Sequence, residues 1–199
     1  MVELLLALAT STIILGAIYS VFNITNKNVS TQNVAASVQQ SLRSAIGLMS
    51  RDIRLAGLDP IGTDNFGIEY ASQTKIRFTL DSIDSGTGDF NGVVDETNFE
   101  KVTYEFEQKS DGAYQIKQTL YEGTDSANSA VLISNLDRED PGSFSYLDAD
   151  GNDLGNPVAD LELIRTVVIQ IKVAEPAGRD EPVSRTLTRK VECRNLGFN

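Results

Sequence analysis

The sequence predicts an α+β fold in which one long N-terminal helix packs its second half on an antiparallel β-sheet domain. Three observations lead to this prediction. Residues 4–22 are apolar and uncharged, apolar residues then recur every three or four positions, and beyond Pro60 the apolar period becomes two. We therefore divide the chain into residues 1–24, the membrane-spanning half of the helix; residues 25–59, its amphipathic half; and residues 60–199, an acidic β-rich domain.

The first half of the predicted helix is long enough to cross a membrane. The run Leu4–Phe22 contains no charge and no proline, and as a helix it would be about 28 Å long, close to the hydrocarbon thickness of a bilayer. A secretory signal peptide would start with positive charge and have an apolar stretch of about 7–15 residues. Here the first cation is Lys27, so a membrane-spanning helix is the better interpretation.

The second half of the helix has one apolar face. Gly57 and the pair Asp59-Pro60 oppose its continuation, so we predict one helix from about residue 2 to about residue 56. In the stretch "RDIR" we expect Arg51, Asp52 and Arg54 to lie on the solvated side of the last turns. The apolar stripe consists of Val34, Val38, Leu42, Ile46, Met49, Ile53 and Ala56.

The body of the chain has the two-residue period of strands, and we expect a sheet of about five to seven. Turn residues in "QKSDG" predict a hairpin, and "AEPAGRDEP" predicts the turn before the last strand. The predicted strands are Lys75–Leu80, Val102–Phe106, Ala113–Leu120, Val167–Val173 and Val183–Glu192, with shorter strands at "VLISN" and "FSYLD".

Charge and composition exclude several functional classes. The net charge is −11, and residues 1–60 carry four cations and three carboxylates, so a charge of −12 lies in the rest. Such a body repels phosphate backbones, and we predict no nucleic-acid partner. The chain lacks histidine and recognisable catalytic motifs, so we predict that it is not an enzyme; a carboxylate-only enzyme is the remaining alternative. The single Cys193 is predicted to be an inert, partly buried thiol.

Two loops are rich in oxygen ligands, which raises the hypothesis of a calcium site. Calcium takes about six to eight oxygens, often from carboxylates on a glycine-containing loop. Neither loop has the EF-hand pattern, and Asp, Asn and Gly are also the ordinary residues of turns, so plain turns are the alternative. The candidate ligands are Asp84, Asp89, Asn91 and Asp95 in a loop that also contains Asp81 and Glu96, and Asp148, Asp150 and Asn152 in a loop that also contains Asp153.

Taken together, these segments resemble a known family. "VELLLALATSTIILGAIYSVF" is similar to the N-terminal segment of type IV pilins and type II secretion pseudopilins, in which a valine or isoleucine precedes a glutamate at the start of a long helix. "MSRDIRLAGLDPIG" resembles, more narrowly, the end of that helix in PilW-like minor pilins. "IRFTLDSIDSGTGDFNGVVDETNFEKVTYEFEQ" and "FSYLDADGNDL" are similar to the body of that group.

The resemblance implies a pilin fold and a role in assembly. Glu3 matches the family's glutamate, which is thought to meet the N-terminal amine of a neighbouring subunit. Composition alone left open whether Glu3 has a partner or is a solvated carboxylate at the membrane edge. The implied protein is a minor pilin in the inner membrane, with its domain in the periplasm, which joins other pilins and minor pilins in a pilus and initiates or caps the filament.

The sequence departs from the family pattern in three ways. No basic leader or Gly-Phe junction precedes Val2, the helix lacks the proline that many major pilins carry, and a lone cysteine excludes a C-terminal disulfide loop. The first departure fits a mature chain, a trimmed chain or a start placed too far downstream. Two alternative functions remain open: a type II secretion pseudopilin of the GspJ kind, and a membrane-anchored, calcium-dependent adhesin or binding module.

Overall fold

A computed structural model describes residues 1–84, 88–96, 98–176 and 182–197 and confirms the α+β architecture. One continuous helix, α1, covers Val2–Arg54 and is followed by an antiparallel sheet and, at Leu161–Leu163, a single 3₁₀ turn. The described strands are β1 (Ile68–Ala71), β2 (Lys75–Thr79), β3 (Lys101–Gln108), β4 (Tyr114–Leu120), β5 (Asn128–Leu136), β6 (Gly142–Leu147), β7 (Thr166–Glu175) and β8 (Val183–Glu192).

Strand β7 organises the second half of the curled sheet. The strand order is β1-β2-β3-β4-β5-β7-β6, with β8 also paired to β7. Along one edge, β7 pairs with β8 over its whole length. Its other edge is shared, because β6 covers Thr166–Ile171 while β5 meets β7 only where Leu136 faces Val173. Alternate side chains of β7 enter the core, and α1 packs on β8, β7 and β5.

The second half of α1 buries the predicted apolar stripe against β8, β7 and β5. Met49, Ile53 and Ala56 are completely buried, and Val34 at the start of the stripe is half-buried. The helix ends at Arg54, two residues earlier than predicted. Gly57 is the predicted stop: it adopts a left-handed φ of 74° and donates its N–H to the Thr79 carbonyl at 2.9 Å.

The predicted strands are all present, but the predicted total of five to seven is wrong because the described sheet has eight. The strand that sequence analysis missed is β1. Only its two ends, Ile68 and Ala71, are buried, and its pairing with β2 is irregular between Ile68 and Tyr70. A four-residue strand of this kind shows no two-residue period. The predicted "AEPAGRDEP" turn includes residues 177–181, which lie outside the described residues.

The prediction that Asp52 lies on the solvated side of α1 is wrong, although Arg51 and Arg54 are exposed as expected. The Asp52 side chain points inward. Tyr104 of β3 donates its hydroxyl to Asp52 Oδ2 at 2.6 Å, and Gln118 Nε2 donates to the Tyr104 oxygen at 3.0 Å. Arg51 Nε lies 2.9 Å from Asp52 Oδ1. Burial, and then the charge of Asp52, raise the pKa of Tyr104, so its hydroxyl remains a donor.

Replacing this donor should destabilise the domain. We expect Tyr104→Phe to lower the free energy of unfolding by about 1–3 kcal/mol, because it leaves the buried Asp52 oxygen without its donor. Urea unfolding of the solubilised full chain, followed by circular dichroism, measures the change. Tyr70→Phe is the matched control, since Tyr70 is 42% exposed, and its effect should stay within about 0.5 kcal/mol. Equal losses in the two variants would contradict the buried contact.

A second test concerns the start of β6. Gly142 has a φ of 109°, and a Cβ there would lie 2.1 Å from the Gln170 carbonyl oxygen of β7. We expect Gly142→Ala to cost at least about 1–3 kcal/mol in the same urea experiment, because the backbone must shift. Gly47→Ala should act in the opposite direction, gaining about 0.5–1 kcal/mol, because Gly47 is helical and a Cβ there meets nothing within 4 Å. Stability unchanged by Gly142→Ala would refute the close approach of β6 and β7.

Candidate functional site

The first half of α1 carries an apolar surface that no other part of the described structure covers. We call Leu4–Phe22 the apolar segment. Its large side chains are exposed on every side of the helix: Leu4 is 71% exposed, Ile13 73% and Phe22 59%. By length and composition, α1 could cross a membrane, and its most apolar window is not buried at all. A surface of this size is unstable in water, so it requires lipid or other apolar helices.

Three consecutive hydroxyl side chains of the apolar segment donate hydrogen bonds within the helix itself. Ser11 Oγ donates to the Ala7 carbonyl at 2.8 Å, and Thr12 Oγ1 donates to the Leu8 carbonyl at 2.7 Å. Thr10 Oγ1 lies 3.1 Å from the Leu6 carbonyl oxygen. Bonds of this kind satisfy the hydroxyl donors of these three residues, so the three do not prevent burial of the segment in an apolar environment.

Glu3 stands at the exposed start of the segment, in the first turn of α1. The described residues supply no ion-pair partner to its carboxylate. The helix N-terminus favours a negative charge, but a cation is needed once the carboxylate loses water. None of the described residues supplies that cation in this structure.

The first candidate calcium loop is held by hydrogen bonds within the loop. Asp95 Oδ2 accepts from Asn98 Nδ2 at 2.9 Å and from Asn91 Nδ2 at 3.3 Å. The Asp84 N–H donates to the Asp89 carbonyl at 3.0 Å. Amide donors therefore point at the Asp95 carboxylate, where a calcium site would place a cation. Residues 85–87 and Thr97 of this loop lie outside the described residues.

Two buried carboxylates organise the same loop. Sequence analysis did not single out Glu100, which is completely buried and accepts the Asp95 N–H at 2.7 Å and the Ser82 N–H at 3.2 Å. Burial raises the pKa of Glu100, although these two hydrogen bonds act to lower it. Asp81, also completely buried, accepts the Gly92 N–H at 3.1 Å through Oδ2, while its Oδ1 has no partner among the described groups. Both carboxylates act as anchors of the loop backbone.

The second candidate loop is a turn built around Asp148. Its Oδ1 accepts the backbone N–H groups of Asp150, at 2.9 Å, and Asn152, at 2.8 Å, while Oδ2 accepts from Asn152 Nδ2 at 3.0 Å. These hydrogen bonds lower the pKa of Asp148, and the bond from the Asn152 side chain has the largest effect. Asp148, Asp150 and Glu192 also line a surface depression together with three cations, Arg54, Lys190 and Arg194. The three cations offset the charge of the three carboxylates and so weaken the attraction of the depression for a metal ion.

Within the described parts of the chain, no three carboxylate or cysteine side chains lie close enough together to hold a metal ion. The predicted ligands belong to two different loops, each stabilised by its own hydrogen bonds, and calcium binding stays a prediction. Cys193 is buried, and burial raises the pKa of its thiol to about 12. The prediction of an inert thiol agrees with that environment.

Comparisons with protein-family models, with curated proteins and with solved structures find no match to this chain. The apolar segment with Glu3 is therefore the best candidate site, on its exposure and its unpaired charge alone.

The contributions of Glu100 and Asp148 to the stability of the fold should change in opposite directions with pH. In a carboxyl-carbon NMR titration of the solubilised chain, Glu100 should titrate above the ordinary glutamate range and Asp148 below the ordinary aspartate range. Between the ordinary and the raised pKa of Glu100, the folded chain holds more protons, so its contribution to stability falls as pH rises. For Asp148 the contribution is present above the ordinary aspartate pKa and is lost as pH falls through the lowered value. Midpoints in the reverse order would contradict the hydrogen bonding and burial described for these loops.

Proposed function

We propose that this protein is a minor pilin, an assembly subunit that starts or caps a type IV pilus through its N-terminal helix. The observation that carries the proposal is the apolar segment, exposed over its whole circumference and continuous with the half of α1 that packs on the domain. A helix used only by its own domain would bury its apolar face there. The resemblance of Val2–Phe22 to pilin N-termini supports the same function.

The assembly mechanism is an exchange of apolar environments. Before assembly, the apolar segment lies in the inner membrane, with the acidic domain in the periplasm. On assembly, the segment leaves lipid and packs among the helices of other pilins and minor pilins. Lipid tails and apolar side chains are similar solvents, so the hydrophobic effect contributes little to the exchange, and helix packing and polar pairing decide where the subunit stops.

Glu3 supplies that polar pairing. A carboxylate surrounded by helices costs several kcal/mol unless a cation meets it. The N-terminal amine of a neighbouring subunit is such a cation, and it reaches Glu3 only at one axial position of the two helices. Positions without this pair leave a buried charge unpaired, so one position is selected.

The decisive experiment compares changes in the apolar segment in cells that lack the chromosomal copy of this gene. We expect Glu3→Ala to abolish surface filaments, counted by electron microscopy, while the chain stays in the membrane fraction. The domain should remain folded, because the described residues of the domain do not bury Glu3 or Leu4–Phe22. Resistance to limited proteolysis checks the fold.

Two controls separate assembly from simple anchoring. Ser11→Ala alters a side chain that is satisfied within the helix and should leave filaments unchanged. Exchange of Leu4–Phe22 for an unrelated apolar span should also abolish filaments, since an anchor needs only hydrophobicity whereas helix packing needs specific side chains. If the exchanged chain and Glu3→Ala both function normally, the helix is only an anchor and the proposal fails in favour of a tethered binding module.

A further inference from the structure

The packing of α1 distinguishes two parts of the curled sheet. The backbone of α1 runs close to β8, β7 and β5, and none of the strands β1, β2, β3 and β4, which we call the far half, comes as close to it. One apolar core joins α1 to the far half, and it includes the completely buried Met49 and Ile53 of α1 and Phe78 of β2. Apolar packing has no preferred direction, so by itself it fixes the orientation of the far half only loosely.

A chain of polar side chains also joins the far half to α1. Gln118 of β4 donates to the Tyr104 hydroxyl, and Tyr104 in turn donates its only proton to Asp52. Arg51 forms an ion pair with the other oxygen of the same carboxylate. In the part of the chain that the structure describes, no other side-chain hydrogen bond joins α1 to a strand of the far half.

The physical difference between this contact and the apolar core is direction. Tyr104 is completely buried and Asp52 is 8% exposed, so water does not compete strongly for their hydrogen bond. A buried polar pair contributes little more to stability than an apolar pair of the same shape. A hydrogen bond does, however, weaken steeply when its donor and acceptor move out of line. The Tyr104–Asp52 bond is therefore better suited to fixing an orientation than to holding the core together.

We propose that Asp52 is a positioning residue, which holds the far half of the sheet at the one orientation to α1 that filament assembly requires. The inference rests on the proposed function, because contacts between neighbouring subunits need the domain at a fixed orientation to the packed helix. A rotation of the far half by about 10° around β5 would displace β1, about 19 Å away, by about 3 Å. A displacement of that size is enough to break a hydrogen bond between subunits.

The test separates orientation from stability by making the pair apolar. Asp52→Leu keeps the number and the branching of the side-chain atoms, and Tyr104→Phe removes only the hydroxyl. The urea midpoint of this double variant should lie within about 0.5 M of the original, whereas Tyr104→Phe alone should lower the midpoint, because only the single variant leaves a buried carboxylate without its donor. Gln118 is half-buried and Arg51 is exposed, so water can replace the partners that they lose.

Orientation is measured as distances between spin labels on the full chain in detergent micelles. One label is attached to Gln40→Cys, at an exposed position of α1, and the other to Ser110→Cys, in the β3–β4 turn. We expect the distance distribution of this pair to become at least about twofold broader in the double variant, because a core loses its unique arrangement before its stability. The pair Gln40→Cys and Thr188→Cys, between α1 and β8, should not change. The native Cys193 is buried and reacts poorly with the label.

Filament counts in cells that lack the chromosomal copy of the gene test the role in assembly. The double variant should fall to the count of cells without the gene, although its stability is retained. Asp52→Asn should keep its filaments and the narrow distance distribution, since the amide oxygen still accepts from Tyr104. As a matched control, Thr119→Val with Ser129→Ala removes a side-chain hydrogen bond of 2.9 Å between β4 and β5, and both measurements should stay unchanged.

Two results would overturn the inference: an unchanged Gln40–Ser110 distribution in the double variant, or normal filaments from a chain whose distribution has broadened. If the double variant does not fold, Gln118→Met takes its place, because it removes the donor that directs the Tyr104 proton and leaves the Tyr104–Asp52 pair intact. It should broaden the same distribution, and an unchanged distribution would again overturn the inference.

The failure of each proposal is recognisable separately. If Glu3→Ala abolishes filaments while the double variant still forms them, the inference about Asp52 fails and the pilin function stands. If the double variant broadens the distribution while an unrelated apolar span supports full function, Asp52 still sets the orientation and the pilin function fails.

Discussion

One helix, α1, has to satisfy two different environments along its length. The apolar segment of α1 requires a dry, apolar surrounding, whereas residues from Val38 onward bury one face on the sheet and expose the other to water. The helix passes from one environment to the other without a break. A displacement of Glu3 along the helix axis therefore also displaces the domain. The axial position of the domain depends on that of the apolar segment.

The helix and the longer strands could be predicted because a local sequence pattern indicates each of them. The stripe from Val34 to Ala56, the stop at Gly57 and the alternating strands follow from periods that neighbouring residues display. Asp52 and β1 were not predictable on that basis. Asp52 pairs with Tyr104, which is 52 residues away in the sequence. No local pattern therefore indicates that this carboxylate points inward. Strand β1 is too short and too irregular in its pairing to show a period.

The candidate site was predictable only in part, for a related reason. Glu3 and the apolar segment are visible in sequence because an uncharged run of that length has few structural explanations. The loops were harder to interpret, since Asp and Asn serve both as ligands and as turn residues. Only the structure shows that Asp148 accepts hydrogen bonds from its own loop. It also shows that Glu100, which no local pattern distinguishes, anchors the first loop from a buried position together with Asp81.

The domain end of α1 is held by two kinds of contact. The Tyr104–Asp52 hydrogen bond joins the end of α1 to β3, and the buried stripe packs it on β8, β7 and β5. Asp52 lies about 70 Å along the helix from Glu3. Under the proposed pairing of Glu3 with a neighbouring amine, a slip of one helical turn, about 5.4 Å, would remove that pair and would move the domain by the same amount. Under that proposal, one charge pair at the start of the helix would therefore set the axial position of the whole domain.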